Sequence, residues 1–232
     1  MESYRKTGII VGLLFIIATA APIISGVFLG SITDVVGGIS DSDYLNNAYA
    51  NENQVIIGVI FFSIMAVAVA SIAIALYPIL KKHNETLALG YVGARIGEGI
   101  FFAVNVVTIL TLLTLSKEFV QVGAPDASYY QTLGTLLLAA GDWAYLLGFG
   151  LFFTLSALIL NFVLYQSKLI PRWLSVWGFV GGALIFVYYL IQPLNINLVE
   201  ILFLPIAVQE MVFAVWLIFK GFNPQEIKSK GG

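Results

Sequence analysis

Long apolar segments alternate with short polar ones along the whole chain. A bilayer core about 30 Å thick needs about 20 apolar residues at a helical rise of about 1.5 Å per residue. Six segments reach that length, and no stretch with the pattern of a soluble domain separates them. The pattern therefore predicts one all-α domain, residues 1–232, that is a polytopic transmembrane bundle. Its six helices are expected at about 8–31, 55–80, 87–115, 136–165, 173–191 and 198–219.

Two local features modify this picture at the C-terminal end. Pro205 lies inside the sixth segment, and because a proline ring removes a backbone donor, we expect a kink there. Residues 223–232 are polar and follow the last apolar segment, so we expect a short cytoplasmic tail without fixed structure.

The distribution of cations predicts the orientation in the membrane. Lys and Arg near helix ends are retained on the cytoplasmic side. A six-helix count places nearly all of them on one side: Arg5, Lys6, Lys81, Lys82, Lys168, Arg172, Lys220, Lys228 and Lys230. The opposite side holds Lys117 and six acids: Asp34, Asp41, Asp43, Glu52, Glu118 and Asp126. We therefore expect a multi-pass protein of the cytoplasmic membrane, with both termini inside and the acidic loops outside.

Composition supports the membrane class and excludes several functions. The chain is 59% hydrophobic and 10% charged, whereas a typical soluble domain is about 25% charged. A formal charge of −2 offers no basic face for nucleic acid, so membrane lipids are the expected surroundings. With no cysteine and the single histidine His83, the chain lacks thiolate chemistry and multi-histidine metal motifs. No metal and no cofactor is expected.

Ionisable residues inside the apolar segments are the candidate functional residues. A charge at the centre of a membrane helix costs about 2.5 to 3.5 kcal/mol, and such residues usually face the bundle interior. Arg95 and Glu98 are three residues apart and so share one helix face, which Tyr91 and Asn105 extend at helical spacing. This face is a polar stripe on the third predicted helix.

Depth in the membrane indicates which charged residues can meet. Counted at about 1.5 Å per residue from the inner helix ends, Arg95 is about 12 Å deep, Glu98 about 16 Å and Glu210 about 15 Å. These three residues are expected to share one site if their helices are adjacent. Gln209 precedes Glu210 in the sixth segment and is included as a candidate.

A second polar layer is expected in the outer half of the membrane. The same count places Asp142 and Asn105 there, and Tyr145 lies one turn from Asp142. Glu200 lies nearer an outer helix end, where its side chain can reach water. We therefore expect this layer to be separate from the inner cluster.

The inner cluster contains one permanent cation and two carboxylates. Arg95 stays protonated and neutralises one acid in a forked pair. The second acid must carry a proton, reach water or bind a cation. The alternative is structural, in which Arg95 and Glu210 join the third helix to the sixth and Glu98 is a local partner.

Small residues predict close helix packing. Gly26 and Gly30, and likewise Gly93 and Gly97, have the spacing that lets two membrane helices approach closely. Neither pair follows a strand, so no nucleotide-binding loop is implied.

Three classes of function are open at this point. The surplus acid favours a small proton- or cation-linked transporter or permease. The alternative is a non-catalytic sensor, scaffold or subunit of a larger membrane complex. An intramembrane enzyme is least supported, because the dyads available, Glu98 with Glu210 and Asp142 with Tyr145, are generic. A homo-oligomer, a membrane partner protein and a small-molecule or ion ligand all remain open.

Four stretches carry a resemblance to a known family. They are 88–98 (ALGYVGARIGE), 142–148 (DWAYLLG), 170–178 (IPRWLSVWG) and 204–223 (LPIAVQEMVFAVWLIFKGFN). In these stretches the chain resembles an uncharacterised prokaryotic family of integral membrane proteins, catalogued as a domain of unknown function. The resemblance implies a compact six-helix membrane protein of bacterial or archaeal type, and it implies no activity.

Overall fold

The computed structural model describes residues 2–30, 43–124, 129–191 and 200–228 of the chain. Within these ranges the secondary structure is helical, with no strand. A π-helical segment covers Leu146–Phe153 and a 3-10 turn covers Glu200–Phe203. The α-helices are α1 (Glu2–Leu29), α2 (Tyr44–Ala50), α3 (Glu52–Leu80), α4 (Glu85–Gln121), α5 (Tyr129–Tyr145), α6 (Thr154–Ser167), α7 (Arg172–Ile191), α8 (Leu204–Phe219) and α9 (Pro224–Lys228).

Five helices in the described part of the chain are long and apolar enough to cross a membrane. They are Tyr4–Leu29, Glu52–Leu80, Glu85–Gln121, Tyr129–Ser167 and Arg172–Ile191. Each overlaps one of the first five predicted segments, so those predictions are confirmed at the level of length and apolar character. The sixth segment corresponds to α8, which is apolar but shorter, with 16 residues. At about 1.5 Å per residue α8 spans about 24 Å.

Pro205 begins a helix and does not kink one. The proline lies in the first turn of α8, directly after the 3-10 turn, and helix α8 continues from there to Phe219. The first turn tolerates proline because the backbone N–H it lacks has no partner within the helix there. The predicted kink at Pro205 is therefore wrong. Residues 198 and 199, the first two of the predicted sixth segment, lie outside the described residues.

The fourth membrane helix contains a change of helical pitch. Helix α5, the π-helical segment and α6 follow one another without a break from Tyr129 to Ser167. Short π-helical stretches within α-helices often occur at functional sites. The segment here places Phe153 beside Arg95 of α4, with the guanidinium carbon 5.3 Å from the ring centroid.

Packing between neighbours arranges the long helices as a ring. Helix α1 packs between α3 and α8, α7 packs between α8 and α6, and α4 packs between α6 and α3. The largest apolar core unites residues of α1, α3, α4, α6, α7 and α8 in the interior of this ring. Since α4 and α8 are not neighbours in the ring, a contact between their side chains must cross its centre.

Basic residues from several helices gather at one end of the bundle. Arg5 at the start of α1 donates to the carbonyl oxygen of Leu217 at the end of α8, at 3.0 Å. Lys82, after α3, donates to the hydroxyl of Tyr4 at 2.7 Å. The side chains of Lys228 and Lys230 lie outside the described residues. The described N-terminal and C-terminal segments therefore meet at this basic end.

The opposite end contains a short helix that the sequence pattern did not predict. Helix α2 is held there by Tyr44, whose hydroxyl donates to the carbonyl oxygen of Gln131 at 2.9 Å. Lys117 forms an ion pair with Glu52 at 2.5 Å. The sequence pattern assigned α2 to one of the two predicted external loops. Their acids Asp34, Asp41 and Asp126 lie outside the described residues.

The C-terminal tail is partly ordered. The backbone N–H of Asn223 donates to the carbonyl oxygen of Leu169 at 2.8 Å, and α9 follows directly. The prediction of a tail without fixed structure is therefore wrong for 223–228, because Asn223 is tied to the turn between α6 and α7. Residues 229–232 lie outside the described residues.

Candidate functional site

The Arg95 guanidinium contacts two carboxylates from different helices. Its Nη1 atom lies 3.1 Å from Oε2 and 3.4 Å from Oε1 of Glu98, one turn along α4. Its Nη2 atom lies 3.3 Å from Oε1 of Glu210 on α8. Two nitrogens of one fork thus serve two acids, which requires the planar geometry of arginine. The structure brings together the three residues that the depth count placed at similar levels.

Aromatic rings enclose the guanidinium on its remaining sides. The guanidinium carbon lies 5.6 Å from the ring centroid of Phe15 on α1 and 5.8 Å from that of Tyr91 on α4. Together with Phe153, these rings exclude water and provide cation–π attraction, which strengthens when the cation is desolvated. Phe15 and Phe153 were not identified from the sequence, because nothing in the local pattern tells which aromatic residues of other helices turn inward.

Burial differs between the two carboxylates. The side chain of Glu98 is 2% exposed and that of Arg95 is 3% exposed, whereas that of Glu210 is 16% exposed. Glu210 is therefore the least buried member of the cluster.

Two polar atoms of the cluster lack a hydrogen bond within the described part of the chain. They are the hydroxyl oxygen of Tyr91 and the Nε atom of Arg95, and both are buried. Buried polar groups are nearly always paired, so an unpaired one needs a specific explanation such as a bound water, an ion or a functional role. The Tyr91 ring lies beside the Arg95 guanidinium, on the helix face where the sequence placed it.

Gln209 is directed to a different partner. Its Nε2 atom donates to the carbonyl oxygen of Leu174 on α7 at 3.2 Å and approaches Oδ1 of Asn161 on α6 at 3.5 Å. Adjacent residues on a helix point about 100° apart, so Gln209 cannot follow Glu210 to Arg95. Gln209 joins α8 to α6 and α7. Asn161 was missed, although a buried asparagine within an apolar segment is a readable signal.

The outer polar pair lies on α4 and α5. Asn105 donates from Nδ2 to the carbonyl oxygen of Gly141 at 2.8 Å and is 4% exposed. A cavity of about 20 Å³ lies beside it, with Asp142 and Thr108 in its lining. This volume accommodates about one water molecule. The Asp142 side chain is exposed, so it lies at the edge of the bundle and not in its centre.

Tyr145 lies between the two polar layers. Its ring contacts Phe62, Phe102 and Phe149, with centroid distances of 6.4, 6.1 and 5.8 Å. Tyr145 therefore packs among aromatic side chains of α3, α4 and the π-helical segment. Glu200, expected near the outer layer, begins the 3-10 turn, and its side chain lies outside the described residues.

The surface of the bundle defines its class. Large apolar side chains point outward along the helices, for example Val27 at 79% and Val67 at 67% exposure. A soluble protein rarely exposes a continuous apolar surface of this extent, whereas a bilayer requires it. Polar side chains such as Arg95 and Glu98 are turned inward. The protein is a multi-pass helical membrane protein with a buried ion cluster.

Comparison with protein families gives the same class. A sequence profile for the domain of unknown function DUF4386 matches residues 10–221, and the chain belongs to that family. The match confirms the predicted resemblance to a family of unknown function. No curated protein and no solved structure matches the chain.

Proposed function

We propose that this protein is a small proton- or cation-linked transporter of the cytoplasmic membrane. The observation that carries the proposal is the single guanidinium of Arg95 facing the two carboxylates of Glu98 and Glu210. Intramembrane ionisable residues commonly mark ion pathways and proton relays. Transport is therefore the function that this arrangement supports best.

The charge balance explains why a mobile cation suits the cluster. Arginine remains protonated in proteins, so two ionised carboxylates around Arg95 leave one negative charge uncompensated. An uncompensated buried charge is strongly unfavourable in a low-dielectric interior. A proton or a monovalent cation at the second carboxylate removes this charge. Because Glu210 is the more accessible acid, we assign the exchangeable cation to Glu210.

Neighbouring groups extend the proposed site. The Tyr91 hydroxyl oxygen, which has no hydrogen-bond partner among the described residues, offers lone pairs to a bound cation. Tyr145 and Asp142 lie one turn apart on the fourth membrane helix and continue toward the opposite end of the bundle. We propose that they form the outer approach to Glu98, with Asn105 holding α5 against α4.

The orientation proposed for transport follows the cations. Lysines and arginines are retained on the cytoplasmic side, so the basic end with Arg5 and Lys82 lies inside. In this orientation α8 is the sixth span, and both termini lie in the cytoplasm. Helix α8 is short, and Lys220 at its end can extend toward the headgroups to compensate.

Ion flux through purified protein in liposomes tests the proposal. The protein is reconstituted with a pH-sensitive dye inside, and proton entry is driven by an inside-negative potential; radioactive sodium is tested in parallel. We expect flux above that of protein-free liposomes for one of the two cations. Replacing Glu210 with Gln is expected to lower this flux at least about tenfold, because the exchangeable carboxylate is lost.

Glu85→Gln is the matched control for the flux measurement. Glu85 lies in the first turn of α4 and is exposed, so this variant removes one carboxylate from the helix that carries Glu98 without touching the cluster. It should retain wild-type flux. Flux of Glu210→Gln equal to the wild type, in protein that melts at the wild-type temperature, would contradict the proposal.

The second candidate function is a non-catalytic sensor, scaffold or subunit. The observation that favours it is that Arg95 contacts both carboxylates and so joins α4 to α8 across the bundle. In that case the cluster is structural, and neither cation is carried. Absence of flux for both cations in wild-type liposomes, with a membrane protein that co-purifies, would support this candidate.

A further inference from the structure

A large cavity opens at the basic end of the bundle, away from the Arg95 cluster. It lies between the turn that joins α6 to α7 and the end of α8, and its volume is about 490 Å³. The backbone hydrogen bond from the N–H of Asn223 to the carbonyl oxygen of Leu169 holds these two segments together. The cavity is thus formed by three ordered helix ends.

Three cations line this cavity. They are Lys168, Arg172 and Lys220, and no carboxylate is among its lining residues in the described part of the chain. Lys168 and Lys220 are exposed, and neither forms an ion pair with another described residue. Arg172 lies over the ring of Tyr165, and the distance between its guanidinium carbon and the ring centroid is 5.0 Å. The cavity is therefore an anion-attracting site whose lysines are available to a ligand.

The backbone places one of these cations at an unfavourable position. Lys168 ends α6 in the left-handed region, with φ 54° and ψ 24°. Glycine is the usual residue at such a helix end, and a side chain there is strained. The chain has lysine at this position, and its side chain lines the cavity.

The adjoining helix ends also favour an anion. Helix α7 begins at Arg172, and its first backbone N–H groups carry the positive end of the helix dipole. The carbonyl end of α8 would oppose an anion, but Arg5 donates to the carbonyl oxygens of Leu217, Ile218 and Phe219. Arg5 therefore compensates the negative end of α8.

The apolar walls of the cavity and its position near the level of the lipid headgroups indicate which kind of anion it binds. Trp216, Leu169 and Phe222 line the cavity together with the cations. Nearby, Trp173 is 54% and Tyr165 is 41% exposed, as expected for aromatic side chains at the level of the lipid headgroups. Basic pockets between membrane helices on the cytoplasmic side are typical sites for anionic headgroups.

We propose that this cavity binds the phosphate headgroup of an anionic phospholipid. The phosphate lies between Lys168, Arg172 and Lys220, and the adjoining glycerol and upper acyl chains contact Trp216. A free phosphate ion would use the cations but gain nothing from the apolar walls. This site is independent of the proposed transport function, since neither Arg95 nor the two carboxylates of its cluster line the cavity in the described structure.

Native mass spectrometry of the full chain in detergent tests this site. Delipidated protein is titrated with phosphatidylglycerol or with phosphatidylcholine of the same acyl chains. We expect wild-type protein to bind phosphatidylglycerol at least about 25-fold more tightly than phosphatidylcholine. In Lys168→Gln/Lys220→Gln the affinity for phosphatidylglycerol is expected to fall about 25-fold, because each cation removed near an anionic headgroup costs about fivefold. Affinity for phosphatidylcholine is expected to stay unchanged.

Lys81→Gln/Lys82→Gln is the control, because it removes the same charge at the same end of the bundle but outside the cavity. It should retain the wild-type preference. Equal affinity for both lipids in the wild type, or an equal loss in the control variant, would overturn the proposal. Displacement of phosphatidylglycerol by an equal concentration of inorganic phosphate would also overturn it, because the site would then belong to a free anion.

Discussion

At the scale of single residues, the site combines what spacing can predict with what only the fold reveals. Arg95 and Glu98 are one turn apart, so their pairing follows from the sequence. The contact between Glu210 and Arg95 follows from their similar depth, because α4 and α8 cross the same thickness of membrane. Phe15 could not be predicted, since its contact with Arg95 depends on the position of α1 in the ring. Gln209 was misassigned because depth alone does not define the direction of a side chain.

Replacing Tyr91 with Phe tests whether its hydroxyl contributes to the stability of the protein or to cation flux. The Tyr91 hydroxyl is buried and makes no close hydrogen bond with a described residue, so its removal gives up at most a weak interaction with the neighbouring Arg95 guanidinium. We expect the free energy of unfolding to stay within about 1 kcal/mol of the wild type or to rise. Cation flux should fall at least about threefold if the hydroxyl helps to hold the cation.

Thermal melting in detergent and flux in liposomes measure the two effects of Tyr91→Phe. Tyr165→Phe, at an exposed ring outside the cluster, is the control and should change neither quantity. A loss of stability above about 1 kcal/mol in Tyr91→Phe would show that the hydroxyl is structurally paired.

At the scale of helices, the length of the apolar segments predicted the elements well, but their contact faces were not predictable. Among the glycines of the predicted packing pairs, a Cβ atom on Gly26 or Gly93 would meet nothing within 4 Å, whereas one on Gly97 would lie 2.5 Å from an aromatic ring. Gly8 and Gly12 have the same spacing and were missed, although a Cβ atom on Gly12 would lie 2.7 Å from a backbone carbonyl oxygen of α8. Spacing identifies small residues, and only the arrangement of neighbours shows which of them are in contact.

Gly12→Ala tests the close approach of α1 and α8. The added methyl group meets backbone of α8, which cannot move as easily as a side chain, so the two helices must separate. We expect the free energy of unfolding to fall by about 1 to 2 kcal/mol in total. This net value includes a gain of about 0.5 to 1 kcal/mol from the better helix propensity of alanine.

Gly93→Ala is the matched control, because Gly93 is exposed within a long helix and a Cβ atom there meets nothing within 4 Å. Denaturation in SDS should give Gly93→Ala the stability of the wild type or slightly more. Equal stabilities of the two alanine variants would mean that α1 and α8 are farther apart than in this structure.

At the scale of the whole molecule, the membrane class was predictable because the solvent determines it. Hydrocarbon requires long apolar helices on the outside and gathers the few charged side chains inside. The order of helices around the ring was not predictable, since every long helix is apolar on its outer face and no pattern specifies its neighbours. The Arg95 cluster depends on that order, because α4 and α8 meet only across the centre of the ring.

The unfolding free energies of Arg95→Gln and Glu210→Gln, measured by SDS titration, test most directly whether the cluster contains a surplus acid. Arg95→Gln leaves two buried carboxylates without a cation and should cost about 3 to 5 kcal/mol. Glu210→Gln leaves Arg95 paired with Glu98 in a balanced cluster and should cost less than about 1 kcal/mol. If Glu210→Gln destabilises the protein as much as Arg95→Gln does, Glu210 is an essential structural partner of Arg95, and the account of a surplus acid is contradicted.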